Sequence, residues 1–281
     1  MPRCYRLLLT SAVAVGLVFA LPSGVYAGAV LQATTTYHAE KPPRVEGTTT
    51  LAHDGYLRID VETTGDGQTA LHDTIYRGVF GDFLLVDHGD KAFTLLDRDA
   101  ISDLEAQLQY TMLQLDRQMA ELPVEQRRRM RDALASPPAQ SAPDVVKTET
   151  VEERAGVACR LYEFRRGDEV VKTVWVAPWD EVPGGAELRR ALEGLRDFTA
   201  RLKEALQSVR SEALGGAQVF DIGSNPFEDF DALGGLPVHT TEFEDGKPTF
   251  ETAINAFSER SMTPADFLPP PSYKQRAWAS E

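Results

Sequence analysis

Apolar and polar residues alternate along the first part of the chain. Leu57, Ile59 and Val61 stand between Arg58, Asp60 and Glu62, the period of a strand with one face buried. His53-Asp54-Gly55 predicts a tight turn back to Thr48-Thr49-Thr50-Leu51. Asp87-His88-Gly89-Asp90 predicts another, joining Phe83-Leu84-Leu85-Val86 to Phe93-Thr94-Leu95-Leu96. About six strands are expected between Val30 and Asp97, forming an antiparallel meander.

The period then changes. Ile101, Leu104, Leu108, Met112, Leu115, Met119 and Leu122 fall three or four residues apart, an apolar stripe along one helix face. Asp99 is expected to cap its start, with Ser102 and Glu105 as an alternative capping box. Pro123 breaks the run, and Val124 to Ala135 reads as a shorter helix before a Pro-rich linker over 136–143. The layout recurs with strands expected over Val145–Val151, Cys159–Phe164 and Val170–Ala177, the last two joined at Gly167-Asp168. A second amphipathic helix carries Leu188, Leu192, Leu195, Phe198, Leu202, Leu206 and Val209. Val238–Phe243 and Thr249–Phe257 form a last hairpin through Asp245-Gly246, and Phe267 to Tyr273 reads as an extended cover strand.

Strands, helix, strands, helix, strands: such segregation implies an α+β fold. The expected form is a curved antiparallel sheet, an open half-barrel, with two long amphipathic helices packed on its concave face. Residues 28–281 are read as one domain. Residues 1–27 are read as a signal peptide. Arg3 and Arg6 precede a largely apolar 15-residue run, Leu7 to Leu21, and Val25-Tyr26-Ala27 offers small residues at the cleavage positions. The run is shorter than the roughly 20 apolar residues that a membrane helix needs. The expectation is export to the periplasm or beyond, with cleavage near Ala27-Gly28 and no stable membrane anchor.

Removing that segment deepens the charge from −14 to −16, with 27 basic residues against 43 acidic. So acidic a chain argues against nucleic acid, which requires a basic footprint. Of two cysteines only Cys159 remains, so no intramolecular disulfide is possible. Cys159 is read as a small buried hydrophobe, the alternatives being a reactive thiol or an interchain pair.

No motif for catalysis or cofactor binding stands out. The histidines (His38, His53, His72, His88 and His239) show no ligand spacing for zinc. Asp221 to Asp231 is acidic and holds Phe227 and Phe230. It lacks the alternating oxygens and central glycine of a calcium loop and reads as a surface loop or interaction patch. Arg127-Arg128-Arg129 and Arg131 read as a solvated helix face that pairs with Glu121 and Glu125. There is no G-x-S-x-G elbow, phosphate loop or dinucleotide fingerprint. No cofactor, metal or catalytic residue is implied.

Three segments together carry a resemblance: Gly156-Val157-Ala158-Cys159-Arg160-Leu161-Tyr162-Glu163, Val174-Trp175-Val176-Ala177 and Gly234-Gly235-Leu236-Pro237-Val238. With Phe267, Pro271 and Tyr273 near the end, they resemble an exported bacterial family of domains of unknown function. The layout is also similar to the LolA/LolB lipoprotein-carrier fold, an open half-barrel covered by helices. The Pro-rich linker and long first helix depart from that pattern. The resemblance implies a fold and an envelope location, but no chemistry.

The leading expectation is a non-enzymatic carrier or binding module for a lipid, an acyl chain or a hydrophobic protein segment. Leu57, Ile59, Val61, Val174 and Val176 are the candidate cavity residues. The same residues serve equally as a closed core. Two rival readings are an envelope interaction protein without a small ligand, and a hydrolase with an unrecognised site.

Overall fold

The structure is a computed structural model that describes residues 27–65, 68–134, 142–208, 210–211, 217–218 and 233–277. The expected signal segment, most of the Pro-rich linker and the acidic loop around Phe227 lie outside the described residues.

Six strands open the fold: β1 (Ala27–Tyr37), β2 (Arg44–His53), β3 (Tyr56–Gly65), β4 (Gln68–Arg77), β5 (Asp82–Asp87) and β6 (Ala92–Leu96). They form the expected meander, each antiparallel to the next. At the β2–β3 turn Asp54 and Gly55 take φ of 47° and 77°. Two successive left-handed residues match the twist of a two-residue hairpin, which is why an Asp-Gly pair stands there.

Helix α1 (Arg98–Glu121) follows, then α2 (Val124–Leu134). Asp97, not Asp99 or Ser102, caps α1: its backbone is extended and its carboxylate accepts the Ala100 N–H at 2.9 Å. Asp99 lies inside the first turn, where a negative charge meets the helix dipole without capping it. Pro123 ends α1 as expected. Arg127 then turns back on that end and donates to the carbonyls of Ala120 and Leu122, capping the helix C-terminus.

Strands β7 (Asp144–Arg154), β8 (Val157–Arg166) and β9 (Glu169–Pro178) form a second meander, followed by α3 (Gly185–Ser208). Two short strands, β10 (Arg210–Ser211) and β11 (Ala217–Gln218), pair only with each other. The hairpin of β12 (Gly235–Glu244) and β13 (Lys247–Ser261) comes next, then a 3-10 turn at Pro264–Phe267 and β14 (Lys274–Arg276).

Apart from β10 and β11, these strands make one open 12-stranded sheet in the order β14-β6-β5-β4-β3-β2-β1-β13-β12-β9-β8-β7. Its two halves meet where β1 pairs with β13 from Ala27–Ser261 to Tyr37–Phe250. All pairs are antiparallel except β14 on β6. The fold is thus the α+β sheet-and-helix arrangement expected. Helix α3 crosses β1, β2 and β3, while α1 leaves from β6 and packs beside α3. Of the α1 stripe only Met112 and Met119 are fully buried.

Successive residues of a strand point to opposite faces, and here each face has its own cover. Leu57, Ala52 and Ala29 join Leu188, Ala191, Leu195 and Phe198 under α3. Leu51, Ile75, Leu84 and Val86 point the other way and pack on Met262 and Phe267 of the C-terminal tail. A third cluster unites Tyr162, Phe164, Val174 and Val176 with Leu233.

Candidate functional site

Helix α3 is held to the sheet at its start and near its middle. At its start Gly184 has φ 68°, and a Cβ there would sit 2.4 Å from the Cβ of Ala29, so only glycine lets the helix enter this close to β1. One turn on, Glu187 accepts the Asp54 backbone N–H at 2.6 Å, tying the β2–β3 turn to the helix. Farther along, Gly194 lets the Tyr76 ring approach to 3.0 Å of where a Cβ would be. Phe198 then packs on Phe83 in a tilted pair with ring centroids 4.5 Å apart.

Between these anchors the helix does not fill the space below it. A cavity of about 530 Å³ lies there, bounded by Leu188 and Leu192 of α3. Its floor runs across β3, β2, β1, β13, β12 and β9. Nearest the helix the floor is aliphatic, with Leu31, Leu57, Ile59 and Ile254. Threonines share this floor: Thr50 stands between Leu31 and Ile59, Thr48 is level with Ala33, and Thr35, Thr252 and Thr240 form a belt farther along the strands. Lys172, Glu242 and Phe250 also line the cavity, as do Ala33, Val174, Leu233, Leu236 and Pro237. Thr35 and Thr252 share a hydrogen bond of 3.0 Å across the seam between the halves. Among the described residues, Thr48, Thr50 and Thr240 have no side-chain hydrogen bond, so their hydroxyls are available to a guest.

The five residues singled out from sequence divide. Leu57, Ile59 and Val174 line this cavity. Val61 is half-buried on the same strand, beside Thr48, and does not line it. Val176 is buried and borders a separate cleft of about 430 Å³ that also touches Cys159 and Tyr162. The threonine belt and the α3 leucines went unpredicted as lining. The alternation Leu31-Ala33-Thr35 was a usable signal, because small and hydroxylated residues at inward positions cannot fill a core.

Polar clusters elsewhere tie the fold together. On the tail-covered face Asp73 is 4 % exposed and accepts from Arg58 at 2.7 Å and from His88 at 2.8 Å. The other nitrogen of His88 meets the Tyr273 hydroxyl at 2.8 Å, clasping the tail to the β5–β6 turn. Beside them Asp60 is raised above the usual carboxylate range. Burial outweighs the neighbouring Arg58 guanidinium there, and Asp73 adds to the effect.

In the other half His38 and His239 converge on Glu251, at 3.2 and 2.8 Å. Arg154 lies over the Trp175 ring and donates to Nδ1 of His239, leaving its Nε2–H to face Glu251. The hydrogen bond from His239 leads the effects that lower the Glu251 carboxyl. Cys159 is fully buried, and burial raises its thiol above the ordinary value, the environment of an inert core residue.

Among the described residues no cluster of three or more metal-binding side chains occurs, and no helix is long and apolar enough to cross a membrane. No protein-family model matches the chain, and no curated protein does. Among solved structures, a chain of the complex structure of Pseudomonas aeruginosa MucA/MucB is similar over 88 % of this chain, at 9 % identity and a TM-score of 0.36. This chain spans 57 % of that one's length, and nothing about binding passes from one to the other at that level.

Proposed function

We propose that the protein is a non-enzymatic binding or carrier module of the cell envelope whose cavity under α3 receives the apolar chain of a lipid, an acyl group or a hydrophobic segment. The observation that carries this reading is the 530 Å³ cavity with its aliphatic floor. It falls within the roughly 300–1,000 Å³ of ordinary ligand sites. A closed core would have been filled to crystal-like density instead. The envelope location rests on the sequence of Met1 to Ala27 and on the LolA/LolB-like layout read from the sequence.

The test is binding of the hydrocarbon-like fluorophore N-phenyl-1-naphthylamine, combined with native mass spectrometry of the purified protein. Saturable one-to-one binding is expected. Ala33→Trp and Ile59→Trp, each placing an indole in the cavity, should abolish it while the far-ultraviolet circular dichroism stays unchanged. Unsaturable or undetectable binding by the unaltered protein, or full binding by both tryptophan variants, would refute the proposal.

A further inference from the structure

The lining of the cavity narrows what kind of chain belongs in it. At about 30 Å³ per methylene, 530 Å³ is on the scale of one long acyl chain. Two such chains would need about twice that space.

Polarity then rises in one direction across the floor. From the level of Leu31, Thr50 and Ile59 the floor passes to the belt of Thr35, Thr252 and Thr240, and then to Phe250, Glu242 and Lys172. Along it Thr48, Thr50 and Thr240 present hydroxyls without a side-chain partner among the described residues. Hydroxyls both donate and accept, which suits an alcohol, ester or amide rather than an ion. The charges beyond the belt are of mixed sign. Glu242 is the cross-strand partner of Lys172, and Arg44 bonds to both Glu40 and Glu46. These five groups carry three negative charges against two positive, which leaves little net field to hold an ionic head, and the chain's overall charge of −14 opposes anions.

Resting on the reading of this cavity as an apolar-chain site, we infer that its occupant is a single-chain amphiphile with an uncharged hydroxyl, ester or amide head. The hydrocarbon lies under Leu188 and Leu192, and the head bonds to the threonine belt.

Competition against bound N-phenyl-1-naphthylamine at pH 8 tests this, with monopalmitoylglycerol, palmitate and dipalmitoylglycerol as competitors. Monopalmitoylglycerol should displace the fluorophore at concentrations at least about tenfold below either of the others. Thr50→Val and Thr240→Val should each weaken monopalmitoylglycerol about fivefold, the loss of one hydrogen bond, relative to the fluorophore's affinity measured on the same variant. Palmitate or dipalmitoylglycerol competing as well as the monoglyceride would overturn the inference and leave the cavity reading standing. So would a monoglyceride affinity indifferent to both threonine substitutions. If the fluorophore itself does not bind, both fall.

Discussion

The two faces of the N-terminal meander are covered in different ways. On β2, Leu51 points into a cluster sealed by Phe267, whose side chain is completely buried. Its neighbour Thr50 points to the opposite face and lines the cavity under α3. The tail is not the extended cover strand expected over Phe267 to Tyr273: a single 3-10 turn, Pro264–Phe267, is slim enough to lower an aromatic ring directly onto the sheet. A helix stands off by the radius of its own backbone and side chains, so only large residues from both partners close the gap. Leu195 and Phe198 meet Tyr76 and Phe83 and close it at one end. Along the middle the sheet offers Ala33, Thr35, Thr48 and Thr50, and the gap stays open. One sheet thus carries a sealed face under the tail and a face left partly open under α3.

The largest expected effect lies on the sealed face. Phe267→Ala should cost about 3–5 kcal/mol, the range for emptying a tightly packed aromatic site, read as a fall in the denaturant midpoint. A loss under 1 kcal/mol would show that the tail is no true cover.

Next comes the helix anchor. Gly184→Ala brings a Cβ against Ala29 at a position of positive φ, and a cost of about 2 kcal/mol is expected. The same change should weaken N-phenyl-1-naphthylamine binding, because α3 is displaced; unchanged affinity would separate the anchor from the cavity.

Smaller again is Ile59→Ala on the open face. It enlarges a space that already exists, so the expected cost is about 1–2 kcal/mol, below that of Phe267→Ala. Equal losses at the two sites would erase the contrast between the faces.

The smallest effect is electrostatic and depends on pH. Asp60 binds its proton more tightly when folded than when unfolded. Its contribution therefore falls as pH rises from the ordinary carboxylate range through its raised value, and is unfavourable above it. Asp60→Asn should flatten that decline and be neutral or slightly stabilising at pH 7. Glu251 behaves oppositely: its lowered carboxyl stabilises the fold above the ordinary carboxylate range, and that stabilisation is lost as pH falls through its lowered value. Thermal melts from pH 3 to 8 on Asp60→Asn and Glu251→Gln should show slopes changed in opposite senses.

Much of this architecture is legible in local pattern. The period-2 runs mark β2, β3, β5, β6, β8 and β9, and the Asp-Gly pairs mark the turns at Asp54-Gly55 and Asp245-Gly246. The two leucine stripes mark α1 and α3. Local pattern reads well because backbone geometry repeats every two or 3.6 residues and needs no distant partner. It fails where a partner decides. Asp97 caps α1 because of how the chain leaves β6, although Asp99 and Ser102 have equally suitable side chains. Val61 and Val176 look the same as Ile59 and Val174 by alternation, yet only the second pair lines the cavity.

By itself, then, the sequence determined the elements, their order, the acidic balance and the inward-pointing row of Leu57, Ile59 and Val61. Tertiary structure alone decided that β1 joins β13 and makes two meanders one sheet, and that β14 adds to its far edge. It also decided that the space beneath Leu188 and Leu192 of α3 stays open over a floor of leucines and threonines. Alternation states which residues turn inward, whereas the volume left between them depends on the height and register of an element almost 150 residues away along the chain, where α3 (Gly185–Ser208) lies above β1 and β2.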